Sequence, residues 1–150
     1  MMKLALLLLA TITVWNGEKI ARSESRWKEL LGQERYDVMR KKGTERPFLG
    51  EYVLSEKEGT YLCFACDLPL FDSKDKYHLN NGWPSFTKPI SPKNVYYLED
   101  WSTGFKRYEV LCSRCDCHLG HVFNNGLKND SSSIEKNLRY CINSIALKLR

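Results

Sequence analysis

The side chains best suited to chemistry in this chain of 150 residues are six cysteines and three histidines. Four of the cysteines form two CxxC pairs, "CFAC" and "CSRC", and the other two are Cys117 and Cys141. Thiolates act as nucleophiles, as redox groups and as ligands of soft metal ions. The spacing of each cysteine therefore indicates which of these kinds of chemistry it can perform.

The two CxxC pairs, Cys63 with Cys66 and Cys112 with Cys115, predict a structural zinc site. A CxxC turn directs both sulfurs to one point, and two such turns supply the four thiolates that tetrahedral Zn²⁺ prefers. The alternatives are two local disulfides or a redox-active CxxC, but the latter belongs in a βαβ context that this sequence does not supply. Because four thiolates close the coordination sphere, the predicted metal is structural rather than catalytic.

Cys141 lies in "RYCIN", where Arg139 and Asn143 alternate with it along a predicted strand and so share its face. A neighbouring cation and hydrogen-bond donors lower the pKa of a thiol, and the thiolate is the nucleophilic form. The alternative is an inert buried thiol, since free cysteine is among the most buried residue types. The pattern alone leaves both interpretations open.

Two further motifs offer groups for a pocket. His118 and His121 in "HLGHVF" are suited to general acid and base chemistry near neutral pH, with metal ligation as the alternative. Trp83 and Phe86 lie on the rigid turn of "GWPSF" and offer an aromatic wall that attracts thioether methyl groups and polarisable sulfur. An aromatic turn that only caps the core is the alternative there.

The elements that must position these residues are a short helical arm and a set of strands. The segment "SESRWKELLGQERYDVMRKKG" predicts one or two helices, capped by Ser23 or Ser25 and ended by Gly43. Six later runs rich in aromatic and β-branched residues predict strands. They are "EYVL", "GTYLCFA", "NVYYLED", "FKRYEVLCS", "GHVF" and "RYCINSIALKLR". The chain is therefore expected to be one mainly β domain.

Charge and the first residues indicate partners and location. The net charge of +5 is modest, and acidic residues interleave with basic ones, which argues against nucleic-acid binding. The apolar run from Leu4 to Val14 has the length of a signal-peptide core and is too short to span a bilayer. We expect a signal segment over residues 1–17, a domain over 18–150, and a secreted, periplasmic or ER-lumen protein. An uncleaved anchoring segment is the alternative.

Six motifs, in order, carry a resemblance to a known family. They are "KKGTERPFLGEY", "CFAC", "GWPSF", "CSRC", "HLGHVF" and "RYCINS", and together they resemble the methionine-R-sulfoxide reductases over residues 26–149. The resemblance implies two antiparallel sheets in a small barrel- or sandwich-like core, short N-terminal helices and one structural zinc ion. It also implies a monomer that acts on proteins or peptides containing methionine sulfoxide.

The resemblance assigns roles to the residues singled out above. It implies that the Cys141 thiolate attacks the sulfoxide and is left as a sulfenic acid, with His118 and His121 assisting protonation. It implies that Trp83 holds the methyl group of the substrate, with Phe123 as a further wall. By the same match, Arg139 and Asn143 keep Cys141 activated.

One departure from the family concerns recycling. Many members carry a cysteine directly before "GWPSF", which resolves the sulfenic acid into a disulfide that thioredoxin reduces; here this residue is Asn81. Cys117 is a candidate substitute resolving thiol, and direct reduction by a thioredoxin-like or small external thiol is the alternative. The competing class of function is a zinc-stabilised binding module without catalysis. Such a module needs the two CxxC pairs but does not require the motifs "RYCIN" and "HLGH".

Overall fold

The structure, a computed structural model, describes residues 15–125 and 137–150. Within these ranges the regular elements are one interrupted helix, nine strands and short 3₁₀ turns. The helix and strands are α1 (Glu24–Met39), β1 (Thr60–Cys63), β2 (Pro69–Asp72), β3 (Lys76–Tyr77), β4 (Ser85–Phe86), β5 (Val95–Asp100), β6 (Arg107–Cys112), β7 (His118–Phe123), β8 (Arg139–Ile142) and β9 (Leu147–Leu149). The 3₁₀ turns include Ser73–Asp75 and Ser144–Ala146.

The strands form two antiparallel sheets, which confirms the predicted mainly β fold. One sheet has the order β2-β1-β9 and the other the order β3-β4-β8-β7-β6-β5. The two sheets are joined by aromatic packing: Phe71 of β2 stacks on Phe86 of β4 with ring centroids 4.4 Å apart. Tyr61 of β1 meets the same Phe86 edge-on at 5.2 Å. These rings are almost fully buried and lie at the centre of the core.

Helix α1 begins where the sequence predicts and is broken in the middle. The Ser23 hydroxyl accepts a hydrogen bond from the Arg26 backbone N–H at 3.2 Å, as an N-cap does. Gly32 has φ +74°, so two short helices meet at this residue. The apolar side chains of Trp27 and Leu31 are buried against the sheets, so packing stabilises helices that are short on their own.

The helix ends at Met39, four residues before the predicted stop at Gly43. Lys42, not Gly43, takes the left-handed conformation, with φ +58°. Gly43 donates its N–H to the Asp37 carbonyl at 3.0 Å, and a Cβ at Gly43 would lie 2.8 Å from that same oxygen. The glycine is therefore required for close approach of the chain to the helix end rather than for its backbone angles.

The predicted strand "EYVL" is wrong, because residues 51–54 form turns. The Val53 and Ser55 N–H groups bond to the carbonyls of Gly50 and Tyr52, each at 3.4 Å. The Tyr52 N–H donates to the Ser144 hydroxyl at 3.1 Å. Because local turns and a side chain take these donors, the segment has no ladder to join.

The predicted signal segment lies, up to residue 14, outside the described residues. From Trp15 onward the chain runs along the second CxxC turn, where the Ile20 N–H bonds to the Arg114 carbonyl at 2.8 Å. Lys19 pairs with Asp116 at 2.6 Å beside that turn. In the described part of the chain no helix has both the length and the apolar character needed to cross a bilayer. Cleavage and export remain predictions.

Candidate active site

The register of two central strands builds the core of the site. In the β7–β8 pair, His121 lies directly opposite Cys141, and Phe123 lies opposite Arg139. Because side chains alternate along a strand, these four residues project from one face of the sheet. Cys141 and Arg139 were predicted to share one face, and they do so because both belong to strand β8.

An irregularity in β7 brings the two histidines together. Val110 of β6 pairs with Gly120, but the next residue, Leu111, pairs with His118, so Leu119 is an extra residue in β7. In a regular strand, residues three apart point to opposite faces, whereas one extra residue restores a common side. The rings of His118 and His121 accordingly meet edge-to-face with centroids 5.5 Å apart.

The Cys141 thiol lies at a small cleft of about 120 Å³. This volume is far below the roughly 300–1,000 Å³ of pockets that hold drug-sized ligands, so the cleft suits a single side chain. It is lined by Thr44, Trp83, Arg107, Gly120, His121, Phe123, Cys141 and Asn143. A Cβ at Gly120 would lie 2.9 Å from the Ile142 Cα and closer still to the Cys141 carbonyl, so only glycine fits between these strands.

Cys141 is half-buried, and two opposing effects act on its ionisation. Burial raises the pKa of the thiol, while the charge and hydrogen bonding of Arg139 lower it. The Arg139 guanidinium lies 4.4 Å above the Phe123 ring, and its Nε donates to the Asn125 side-chain oxygen at 3.2 Å. This packing fixes the cation beside the thiol and gives Phe123 a second function besides lining the cleft.

Asn143 is buried and uses both ends of its amide for structure. Its Nδ2 donates to the Leu119 carbonyl at 2.9 Å, and its Oδ1 accepts from the Glu45 N–H at 3.0 Å. The Asn143 backbone N–H also bonds to the Leu119 carbonyl at 2.9 Å. The amide therefore connects the bulge of β7 to the loop at Glu45, at the edge of the cleft.

Glu45 is a further organiser of the site that sequence reasoning missed. Its carbonyl accepts from the Trp83 indole N–H at 3.1 Å, which fixes the orientation of that ring. Its carboxylate accepts from the backbone N–H groups of Ser144 and, at 3.1 Å, Ile145. Glu45 lies in the motif "KKGTERPFLGEY", but that stretch does not indicate its role, because the partners of Glu45 lie far away in the sequence.

Replacing Glu45 by alanine is expected to loosen the cleft as well as the fold. The change leaves the Ser144 and Ile145 N–H groups without their acceptor, and a lost bond of this kind costs about 1–3 kcal/mol of unfolding free energy. Denaturant unfolding measures that cost, and Glu51→Ala at an exposed neighbouring position is the matched control. Unfolding of both variants at the same denaturant concentration would contradict this role.

A carboxylate and an arginine hold His121 from the side. The His121 Nε2 lies 2.7 Å from Asp100 Oδ2, and the Arg107 guanidinium bonds to the same oxygen at 2.9 Å. Burial lowers the pKa of His121, the hydrogen bond to Asp100 raises it, and the nearby Arg107 lowers it again. The pKa of Asp100 is lowered by its bonds to Ser102 and then by its bond to His121. Asp100 is therefore a carboxylate at neutral pH.

His118 lies deeper and has its own carboxylate. His118 Nδ1 lies 2.6 Å from Glu109 Oε2, and both side chains are almost fully buried. Burial alone raises the pKa of Glu109, but the bonds and charge of His118, helped by Lys42 at 3.6 Å, bring it below its usual value. His118 Nε2 has no hydrogen-bond partner within the described ranges. The buried His118–Glu109 pair therefore lies behind His121.

The sequence held one overlooked signal for Asp100 and Arg107. Asp100 is the last residue of the predicted strand "NVYYLED", Arg107 is the third residue of "FKRYEVLCS", and in the hairpin they lie directly opposite each other. Opposite charges facing each other across an antiparallel pair stabilise its register, so a hairpin alignment of these two runs finds the pair.

The four CxxC cysteines converge, as predicted. Their sulfur atoms all lie within 4.8 Å of one another, with Cys63 to Cys115 at 3.6 Å and Cys66 to Cys112 at 3.5 Å. Tetrahedral coordination with metal–sulfur bonds of 2.3 Å has sulfurs roughly 3.8 Å apart, so the cluster fits such an ion. The four cysteines are therefore placed to hold a metal ion.

The two CxxC turns have the same local geometry. The Asp67 N–H bonds to the Cys63 carbonyl, and the Asp116 N–H bonds to the Cys112 carbonyl, each at 2.9 Å. Both aspartates take left-handed backbone angles, with φ +63° and +60°. One turn follows β1 and the other follows β6, so the cluster joins the two sheets at one end of the core.

The two residues relevant to recycling lie in different surroundings. Cys117 is fully buried in the core, with Arg40 Nη1 3.9 Å from its sulfur, and it is not among the described residues that line the cleft. Asn81 precedes the aromatic turn, and its side-chain oxygen accepts from the Trp83 N–H at 3.2 Å. A resolving function for Cys117 remains a prediction that this arrangement does not support.

Comparisons with known proteins identify the family of this chain. The SelR domain model matches residues 31–150. The peptide methionine sulfoxide reductase MsrB of Chromohalobacter salexigens is 45% identical over 130 residues, which cover 87% of this chain and 94% of that protein. The protein of the same name from Azotobacter vinelandii is 46% identical over 133 residues, covering 89% and 96%. The resemblance drawn from the six motifs is thus confirmed, and the chain belongs to the SelR domain family.

Proposed function

We propose that this chain is an oxidoreductase that reduces the R epimer of methionine sulfoxide in peptides and proteins. The observation that carries the proposal is the placement of Cys141 opposite His121 in a cleft of single-side-chain size. The names of the relatives, peptide methionine sulfoxide reductases, support the same reaction class.

In the first step the Cys141 thiolate takes the oxygen of the sulfoxide. The thiolate attacks the sulfoxide sulfur and forms a sulfur–sulfur bond while the oxygen is protonated. The hydroxyl group then moves to the cysteine sulfur, the sulfur–oxygen bond of the substrate and the sulfur–sulfur bond break, and the cysteine becomes a sulfenic acid. The cysteine sulfur is oxidised by two electrons and the substrate sulfur is reduced by two, so methionine leaves and one proton is consumed.

The cleft supplies what this step needs. Trp83 and Phe123 form aromatic walls suited to the methyl and methylene groups around the substrate sulfur. Arg139 favours the thiolate form of Cys141 against the effect of burial. His121 lines the cleft opposite the thiol and provides the proton for the oxygen, while His118 lies behind it.

The metal of the cysteine cluster is proposed to be zinc with a structural function. The donor set of four thiolates is the one that structural zinc prefers, and it leaves no coordination position for a substrate. The cluster pairs a turn after β1 with a turn after β6, so a bound ion would stabilise the packing of the two sheets. No catalytic step passes through it.

Recycling is proposed to use an external thiol. Two thiols of a thioredoxin-like protein or small reductant reduce the sulfenic acid to the thiol and water, and they form a disulfide themselves. Asn81 stands where the family's usual resolving cysteine would be, and its side chain is bonded to the Trp83 turn. The buried position of Cys117 favours this external route over an internal one.

A single turnover without added reductant tests the proposal. The purified chain from Trp15 onward, with its metal, is mixed with a peptide that carries separated R and S methionine sulfoxide. We expect one equivalent of the R epimer to disappear, none of the S epimer, and a trappable sulfenic acid on Cys141 by mass spectrometry. If neither epimer is consumed while Cys141 stays a thiol, the proposal is wrong and a metal-stabilised binding module is the function to test.

A further inference from the structure

We infer that Asp100 and Arg107 are positioning residues that hold His121 by its Nε2 and reserve Nδ1 for the oxygen of the substrate. The function of Nδ1 toward the sulfoxide rests on the proposed function, whereas the contacts of His121 with Asp100 and Arg107 rest on distances in the structure. Neither residue belongs to the six motifs that carry the family resemblance. Both come from the β5–β6 hairpin, which lies beside the strand that carries His121.

The hairpin presents a carboxylate whose orientation is fixed at several points. Asp100 is the last residue of β5 and Arg107 the first of β6, so they form the strand pair that lies next to the turn. One carboxylate oxygen accepts from both Arg107 at 2.9 Å and His121 at 2.7 Å, and the other accepts from the Ser102 N–H at 2.9 Å. A carboxylate bonded in this way has one orientation, and so does the imidazole that it holds.

This arrangement decides which nitrogen of His121 carries the proton. An ionised carboxylate only accepts, so Nε2 must be the N–H donor to Asp100. Nδ1 has no hydrogen-bond partner among the residues described and belongs to a ring that lines the cleft. In the neutral ring Nδ1 carries the lone pair, and only the imidazolium can donate from it. Proton delivery to the sulfoxide therefore requires the doubly protonated ring.

Asp100 and Arg107 act on that ring in opposite directions. The Asp100 charge stabilises the imidazolium, whereas the Arg107 charge destabilises it and competes for the same carboxylate oxygen. The other charged or titratable groups around His121 are His118 in its own strand, with Glu109 bonded behind it. From β8, Cys141 and Arg139 project from the same face of the sheet. Asp100 and Arg107 are thus the two groups of the β5–β6 hairpin that act on the protonation of His121.

The test uses charge removal at neighbouring positions of one hairpin. We expect Asp100→Asn to lower the pKa of His121 and to reduce kcat/KM at pH 7 by about tenfold or more, as loss of a general acid does. We expect Arg107→Gln to raise the pKa of His121. Histidine side-chain NMR on the metal-loaded protein measures both pKa values, and a merely structural function of the pair does not predict shifts of opposite sign.

The controls come from the same hairpin. Glu99 and Lys106 form an exposed pair 3.9 Å apart, one residue away from Asp100 and Arg107. Glu99→Gln and Lys106→Gln remove the same charges and are expected to leave kcat/KM within twofold and the His121 pKa unchanged.

The outcomes separate the inference from the proposed function. If the wild type reduces the sulfoxide but the His121 pKa and kcat/KM of Asp100→Asn match those of Glu99→Gln, the positioning inference is wrong and the reductase stands. If the wild type reduces no sulfoxide, the function is wrong, while the two NMR shifts still test the geometry. Should Asp100→Asn not fold, an unshifted or lowered His121 pKa in Arg107→Gln overturns the inference.

Discussion

Cys141→Ser is expected to lower the reductase activity by more than roughly a thousandfold, because the nucleophile that attacks the sulfoxide is lost. A serine hydroxyl does not ionise near neutral pH, and the Arg139 charge cannot compensate for that difference. The side chains are nearly the same size, so the cleft and the strand register are retained. Steady-state turnover of an R-methionine sulfoxide peptide with dithiothreitol as reductant measures the loss.

Cys117→Ala is the matched control for this substitution. Its thiol is buried beside Arg40 and outside the described lining of the cleft, so the sulfoxide should still be reduced at close to the wild-type rate. Both variants are expected to keep one metal ion per chain. Activity in Cys141→Ser above a few per cent of the wild type would show that the nucleophile has been misassigned. Loss of turnover in Cys117→Ala with an intact fold would contradict the external recycling route.

Removal of the metal is expected to have the largest effect on stability. Cys112→Ser takes one thiolate from the four-sulfur cluster, and structural zinc sites contribute their binding free energy to folding. We expect a loss of at least about 3 kcal/mol in unfolding free energy, which is on the order of 10 °C in Tm for a chain of this size. Elemental analysis and thermal unfolding of the same samples measure metal content and Tm together.

The position of the cluster makes this prediction specific. Cys63 ends β1 of one sheet and Cys66 follows it, whereas Cys112 ends β6 of the other sheet and Cys115 follows it. A bound ion would therefore connect two sheets that otherwise meet through side-chain packing. Cys141→Ser should retain the ion and its Tm within a few degrees. A wild-type Tm in Cys112→Ser, or the same Tm with and without a chelator, would rule out the structural function.

The sequence by itself identified those parts of the protein that depend on near neighbours. A CxxC turn is local, so the two pairs and their convergence into one four-sulfur cluster were predictable from spacing, and the structure confirms that cluster. The common face of Arg139 and Cys141 follows from the period of strand β8, whereas Asn143 lies just beyond the end of that strand. The helix cap at Ser23 is likewise a local signal. The strand predicted at "EYVL" was wrong because hydrogen bonding to Ser144, 92 residues away, is invisible locally.

Only the tertiary structure decided how the site is completed. Residues three apart in a strand point to opposite faces, so the meeting of His118 and His121 depends on the extra residue Leu119, which becomes evident only when β6 and β7 are paired. Asp100 and Arg107 reach His121 through the pairing of β5, β6 and β7. Glu45 connects Trp83 to Asn143 across distances of 38 and 98 residues. Such contacts arise from sheet register and loop closure, which no short stretch of sequence encodes, whereas side-chain periodicity and turn chemistry are encoded locally.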